Sequence, residues 1–241
     1  MKAVILAAGL GTRLRPITDR VPKCMVPVNG ICIIDKQISN LLKGGIREII
    51  VVAGYKSDIL REHLKKYDFV NIVDNVRYAE TNNMYSLYLA YQYINDSEFL
   101  LMNSDVYFDF NIIEGLLDSD WNGKSLIACD KSGYIEESMK IMTSEQGIIK
   151  HISKKISELE YYAVSIDVYK LNRQASKTLL TQIKNTIEVK KNENLWTEVA
   201  LDGIFTQCNF MPYSIKGRWF EIDNHDDLHK AEEIFKGDMI E

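Results

Sequence analysis

Apolar residues in the first third of the chain follow two rhythms. Ala3–Ala8 and Ile49–Ala53 are unbroken apolar runs, the pattern of strands buried on both faces, and they end at Gly9 and Gly54. Between them, Ile33 to Lys43 carries apolar residues at helical spacing and stops at Gly44-Gly45. A second helix is predicted over Lys56–Tyr67 and a short third strand over Val70–Val73. This alternation predicts an α/β fold with a single doubly wound, Rossmann-like, mostly parallel sheet. Ligands bind such a sheet beyond the carboxyl ends of its strands, and Gly9, Gly54 and the residues after Val73 fall at that edge.

Further along, Leu87, Ala90, Tyr91 and Ile94 mark a helix that starts near Asn82 or Asn83. Glu98–Met102 reads as a strand, with a helix beginning near Asn111. Strand patterns follow at Leu126–Cys129, Met139–Met142, Ile148–Ile152 and Tyr161–Tyr169. Asn172–Lys191 is a polar helical segment, and residues 190–194 read as an exposed loop. A helix over Trp196–Leu201, a strand over Asn209–Ile215 and a final helix over Asp226–Phe235 complete the prediction.

Composition narrows the function classes. The chain has 241 residues, 46% hydrophobic and 26% charged, as expected of one globular domain with a well-buried core. A net charge of −5 leaves no electrostatic footprint for nucleic acid, and no apolar run reaches the length of a membrane span. The N-terminus enters the first strand without the pattern of a secretory signal, so the cytoplasm is the expected compartment. Cys24, Cys32, Cys129 and Cys208 form no C-x-x-C pair; they are expected to be buried thiols, not a zinc or disulfide framework.

Candidate chemistry starts at the first glycine turn. Gly9 and Gly11 permit a close backbone approach to a ligand, the exposed N–H groups of such a turn cradle anions, and Arg13, Arg15 and Lys23 add three cations. A plain βα turn followed by a solvated basic loop is the alternative. No Gly-Lys-Ser/Thr follows the glycines, so this is not a P-loop, and Leu14 replaces the third glycine of a dinucleotide fingerprint. The run Lys2–Val28 resembles the signature of the sugar-phosphate nucleotidyltransferases. Leu6, Ala7, Ala8, Gly9, Gly11, Thr12, Arg13, Leu14, Pro16, Thr18, Pro22, Lys23, Met25, Pro27 and Val28 all fit it. The resemblance implies one nucleotidyltransferase domain over 1–241, with a nucleotide-binding half at 1–125 and an acceptor-binding half at 126–241. It also implies that the glycine loop wraps a nucleoside triphosphate while Arg13 and Lys23 neutralise phosphates around the reacting phosphorus.

Glu80, Thr81, Asn82, Asn83 and Ser86 resemble the E-T-N-N-x-x-S segment of small cytidylyltransferases of the phosphocholine type, which implies contacts to base and ribose. Helix capping is a sufficient account of either asparagine alone. Asp105 follows the strand at 98–102, where turn chemistry or an N-cap would also suit a carboxylate; the resemblance implies an Mg²⁺ ligand. Trp219-Phe220-Glu221-Ile222-Asp223 resembles a second motif of these enzymes and implies that Asp223 is the other Mg²⁺ carboxylate, with Asn224 in place of the usual threonine. Lys140, Glu160, Tyr161, Trp196 and Glu221 are candidates for the acceptor site, against the plainer reading that such residues are solvated or fill core. The expected reaction transfers CMP from CTP to a small phosphorylated compound and releases pyrophosphate. Within the compact, phosphocholine-like branch of these enzymes the chain most resembles the CTP:phosphoglutamine cytidylyltransferases of capsule phosphoramidate synthesis. Phosphocholine, aminoalkylphosphonate and sugar 1-phosphate acceptors are alternatives, as is a catalytically silent nucleotide sensor. Four histidines, at 63, 151, 225 and 229, have no task in this chemistry.

Overall fold

The computed structural model describes residues 1–94 and 96–238. In chain order the strands are β1 Lys2–Ala7, β2 Pro27–Val28, β3 Ile31–Cys32, β4 Ile49–Ala53, β5 Val70–Asp74, β6 Phe99–Asn103, β7 Val106–Phe108, β8 Ser125–Asp130, β9 Lys140–Thr143, β10 Ile149–Ser153, β11 Ala163–Leu171, β12 Phe210–Ser214 and β13 Trp219–Glu221. The α-helices are α1 Ile33–Lys43, α2 Ser57–Leu64, α3 Asn83–Leu89, α4 Tyr91–Ile94, α5 Phe110–Leu117, α6 Arg173–Lys184, α7 Thr197–Asp202 and α8 His225–Ile234.

Nine strands form one sheet in the order β10-β9-β11-β6-β1-β4-β5, with β8 paired to β11 and β12 paired to β8. β1 lies at the centre of the parallel part, between β4 and β6. β11 runs antiparallel to β6, β8 and β9, and β10 antiparallel to β9, so these two oppose the other strands of a large, mostly parallel sheet.

The continuous apolar runs make sense because both faces are covered. Along β1, Val4 and Leu6 enter one core while Ala3, Ile5 and Ala7 enter the other, and β4 divides its residues the same way. The first core is capped by α3, α6 and α7 through residues such as Leu87, Leu179 and Leu201; the second by α1, α2 and α5 through Ile38, Leu60 and Ile113. Ile5 is fully buried, and truncating such a side chain to alanine costs about 2–5 kcal/mol. A third cluster matters more for the site. Leu14 and Val28 of the first motif pack with Tyr107 and with Ile222, Leu228 and Phe235 near the C-terminus, fixing the last motif against the first.

Three features differ from the sequence expectations. The predicted helix at 172–191 is regular only to Lys184 and then widens into a π-turn over Asn185–Val189. The hairpin β2–β3 and the pair β7–β13 are strands of two or three residues, too short for a period to show. Cys32 is half-buried, unlike the other three cysteines, because it ends β3 immediately before α1.

Candidate active site

At the carboxyl ends of β1 and β6 opens a cavity of about 330 Å³, lined by the Leu6–Gly9 segment, Gly11, Thr12, Arg13, Lys23, Asp105 and Asp223 among others. The loop geometry requires glycine at one position within it and one behind it. Gly11 has φ +61°, and a Cβ there would come within 2.9 Å of the Lys23 Cβ. Gly54 is not a cleft residue: it packs behind the loop, where a Cβ would meet the Ala8 carbonyl at 2.7 Å. A Cβ at Gly9 would meet no protein atom within 4 Å, so that side of the loop is open.

Three sequence-distant charges converge on the floor of the cavity. Lys23, on a single 3-10 turn after Pro22, places its Nζ 2.8 Å from Asp105 Oδ2 and 2.7 Å from Asp223 Oδ1. Arg13 donates to Asp223 Oδ2 at 2.9 Å. The backbone couples the two acids directly, because the Ile222 N–H donates to the Asp105 carbonyl at 2.9 Å. Burial would lower the Lys23 pKa, but Asp105 and Asp223 outweigh it and hold the ammonium above its ordinary value. Burial likewise works against ionised Asp223, and Lys23 and Arg13 overcome it, leaving this carboxyl below the usual range.

Helix capping does not occupy either acid. Asn224 caps α8 in a reciprocal box with Asp227, leaving the Asp223 carboxylate to the cleft. Asp109, four residues after Asp105, is held by Arg218 at 2.9 and 3.0 Å and does not line the cavity. Asp105 Oδ1 is buried without a hydrogen-bond partner, and one oxygen each of Asp105, Glu221 and Asp223 lies within 4.8 Å of the others. An all-carboxylate set with an unsatisfied acceptor fits a hard divalent cation such as Mg²⁺.

The polar wall comes from α3 and the turn before it. Asn75, which sequence reasoning passed over, donates to Thr81 Oγ1 and Ser86 Oγ at 3.1 Å each and so orders both hydroxyls. Asn82 accepts from the Asn83 N–H at 2.8 Å as the N-cap of α3, and Asn83 Oδ1 accepts from the Thr197 N–H at 2.8 Å. Both asparagines line the cavity while tying it to the segment that carries Trp196. Glu80 does not reach the cavity; it is exposed and pairs with Arg77.

A second cavity of about 240 Å³ adjoins the first and shares Arg13, Asn83, Asn103, Trp196 and Asp223 with it. Its other acidic walls are Asp167, Glu198 and Glu221, and Lys154 stands at its edge, 5.3 Å from the Trp196 ring centre. Asp167 owes its inward position to irregular backbone: the register of β11 against β8 shifts between Ser165 and Tyr169, and Asp167 has φ +58°. Aspartate is among the few non-glycine residues enriched in that conformation. The Tyr169 hydroxyl contacts Asp167 Oδ1 at 2.8 Å and Glu198 Oε1 at 3.0 Å. One hydroxyl has one proton, so the second contact needs a proton on a carboxyl group.

The pKa directions agree. Burial, Glu198 and Asp105 push Asp167 up to about 7; burial, Asp105, Asp167 and Asp223 push Glu221 up to about 8 against the pull of Lys23; burial raises Glu198. Among the described residues none of these three carboxyls forms an ion pair within 4.0 Å.

The remaining acceptor candidates lie elsewhere. Lys140 is buried, donates to the Glu136 carbonyl at 2.6 Å and sits over the Tyr134 ring, so it anchors the 131–138 loop. Glu160 is exposed and bonded to Ser157, and Tyr161 packs edge-on against Tyr134. Trp196 and Glu221 reach the cavities; Lys140, Glu160 and Tyr161 do not.

The profile of the nucleotidyl transferase family matches residues 2–236. A CTP:phosphoglutamine cytidylyltransferase of Campylobacter jejuni is 28% identical over 249 aligned positions, spanning 95% of this chain and 98% of that one. A choline-phosphate cytidylyltransferase of Streptococcus pneumoniae is 47% identical over 97 residues, or 40% of this chain and 42% of that one. The solved CTP:phosphocholine cytidylyltransferase of Streptococcus pneumoniae superposes with a TM-score of 0.81 at 27% identity, over 98% of this chain and 99% of that one.

Proposed function

The chain belongs to the nucleotidyl transferase family, and from that premise we propose that it is an Mg²⁺-dependent cytidylyltransferase. It transfers CMP from CTP to a small phosphorylated amino compound, with phosphoglutamine the first choice, and releases pyrophosphate. Since CTP is drawn from the cytoplasmic pool, we assign the reaction to that compartment.

One observation carries the acceptor assignment: the second cavity presents Asp167, Glu198 and Glu221, none of them ion-paired within 4.0 Å among the described residues, beside a chamber suited to a triphosphate. Burial favours the protonated form of these carboxyls, and a cationic ligand lowers the cost of ionising them. An ammonium group does so, and an amino compound whose phosphate reaches toward Arg13 would extend from the acids to the reacting centre. A sugar 1-phosphate offers no such charge. The full-length likeness to a phosphoglutamine enzyme supports the same acceptor class.

The chemistry needs position and charge more than proton transfer. An acceptor phosphate is already ionised at neutral pH, so its oxygen attacks the α-phosphorus without a general base, the bond to the β-phosphate oxygen breaks, and pyrophosphate leaves. The open loop at Gly9 and Gly11 receives the triphosphate. Arg13 and Lys23, which pair with the carboxylates of Asp105 and Asp223, turn toward the phosphates and offset charge as it builds on the bridging oxygen. Asp105 and Asp223, with Glu221 beside them, would hold Mg²⁺, which when bound supplies Lewis-acid charge at phosphate oxygens.

The test is pyrophosphate release from CTP with phosphoglutamine, phosphocholine, 2-aminoethylphosphonate and sugar 1-phosphates in parallel. Phosphoglutamine is expected to give the highest kcat/KM. Preference for a sugar 1-phosphate with UTP would overturn the assignment, and no release with any acceptor would return the silent nucleotide sensor.

A further inference from the structure

Away from the cleft, three side chains with no part in the transfer chemistry meet where α1 begins and α2 ends. Cys32 precedes the first turn of α1, Asp35 lies in that turn, and His63 is in the last turn of α2. One ligand atom from each lies within 4.8 Å of the other two, and all three residues are half-buried. The spacing in sequence, C-x-x-D followed by a distant histidine, gives no warning of this.

Hydrogen bonding alone leaves the cluster in conflict. His63 Nε2 lies 2.8 and 3.0 Å from the two Asp35 oxygens, contacts that the ionised carboxylate paired with Lys66 makes only with a proton on that nitrogen. Lys66 Nζ lies 3.3 Å from the same nitrogen, a contact that requires its lone pair. No protonation state of the imidazole satisfies both. Lys66 also pairs with Asp35 Oδ1 at 3.0 Å, so an ammonium already stands where positive charge is favoured. That lysine is 47% exposed and on a flexible stem, and it can leave toward solvent. Tyr67 would remain, donating to Asp35 Oδ1 at 3.1 Å and orienting the carboxylate.

We propose that Cys32 Sγ, Asp35 and His63 Nε2 form a binding site for a borderline divalent metal of the Zn²⁺ class, which takes the place of the Lys66 ammonium. A metal accepts the imidazole lone pair and the carboxylate together and thereby removes the conflict. Thiolate and imidazole donors select Zn²⁺ or Co²⁺ over Mg²⁺, whereas the all-oxygen set at the cleft favours the harder ion. Zn–S and Zn–N bonds of about 2.3 and 2.0 Å place tetrahedral ligand atoms roughly 3.3 to 3.5 Å apart, so the Cys32 thiol closes on the pair by about an ångström or less while the His63–Asp35 contact opens by a few tenths. Solvent supplies the fourth ligand. Bound there, the metal fastens α1 to α2 across the face of the sheet that carries the second core.

The experiment is Co²⁺ titration of the full-length, metal-stripped protein in excess Mg²⁺, followed by absorption spectroscopy. One equivalent is expected to give a thiolate-to-cobalt charge-transfer band, abolished by one equivalent of Zn²⁺. Cobalt at the carboxylates of the cleft cannot produce that band. Cys32→Ser should eliminate it, His63→Gln should weaken binding at least tenfold, and Lys66→Ala should tighten it several-fold. Absence of the band from both the unaltered protein and Lys66→Ala would overturn the site, as would its persistence in Cys32→Ser. Circular dichroism of each variant confirms folding, and the lysine variant keeps all three ligands intact.

Discussion

Two groups of carboxylates share one continuous cleft and are balanced in opposite ways. At the phosphate end Asp105 and Asp223 face Lys23 and Arg13 at distances of 2.7 to 2.9 Å. At the other end Asp167 and Glu198 share the Tyr169 hydroxyl, and Glu221 lies between the two groups, lining the second cavity while within 4.8 Å of Asp105 and Asp223. The first group is neutralised within the protein, so a triphosphate must exchange partners with it. The second is left with raised pKa values, so a cationic ligand gains by completing it. Charge is thus matched within the protein at one end of the cleft and left to burial and protonation at the other.

The largest effects should come from breaking the balanced end. Lys23→Ala removes the cation between the two acids and is expected to lower kcat by on the order of a hundredfold or more, with a smaller change in the KM for CTP. Asp223→Asn should lose activity to a similar degree while circular dichroism remains native, because the substitution keeps the volume and removes the charge. A KM effect alone for Lys23→Ala would reduce it to a ground-state phosphate anchor.

Intermediate effects should come from the unbalanced end. Glu198→Gln keeps the shape of the chamber and the contact with Tyr169 but removes a charge meant for the acceptor. Loss of a hydrogen bond to a charged group costs about 1.5–3 kcal/mol, so the acceptor KM should rise roughly 10- to 100-fold. The KM for CTP should stay within about twofold, and the contrast with Lys23→Ala separates the two ends by kinetics. An unchanged acceptor KM would remove the acids from recognition.

The two ends also differ in how much of them could be read from the chain. Gly9, Gly11, Arg13 and Lys23 fall in one contiguous run that pattern alone marks as an anion cradle, whereas position after a strand leaves turn or cap chemistry open for Asp105 and Asp223, and it is the resemblance of their motifs to the family's that nominates them. The paired Asn82 and Asn83 stood out for their polarity, although the carbonyl oxygen of each is engaged by the fold, one as a helix cap and one on Thr197. Asp167 gave no signal. It lies inside the run read as a strand over Tyr161–Tyr169 and turns inward only because the register of β11 shifts there. Glu198 and Lys154 resemble any surface charge in sequence, and what distinguishes them is tertiary placement beside Trp196. Most elements of the fold were visible because their apolar runs are long. The antiparallel course of β11 was not, since an apolar strand does not encode the direction of its neighbours.

The smallest effect sharpens the comparison through pH. Asp167 has a folded-state pKa near 7 and an ordinary carboxylate value of 3.8 when unfolded, so between those values the folded protein binds more protons. Its contribution to stability is complete below about pH 4 and is lost as the pH rises through about 7. Asp223 has the opposite sign: its carboxyl is held below 3.8 by Lys23 and Arg13, and its contribution is present above that value and lost as the pH falls through its depressed pKa. Asp167→Asn should therefore leave the melting temperature near that of the unaltered protein at pH 4 and raise it at pH 8. For a chain of this size the rise corresponds to about 2–4 °C for each kcal/mol recovered. Thermal melts of the ligand-free protein across that range provide the measurement. A variant less stable than the unaltered protein at pH 8 would mean that hydrogen bonds from Tyr169 and Asn103 outweigh burial and repulsion.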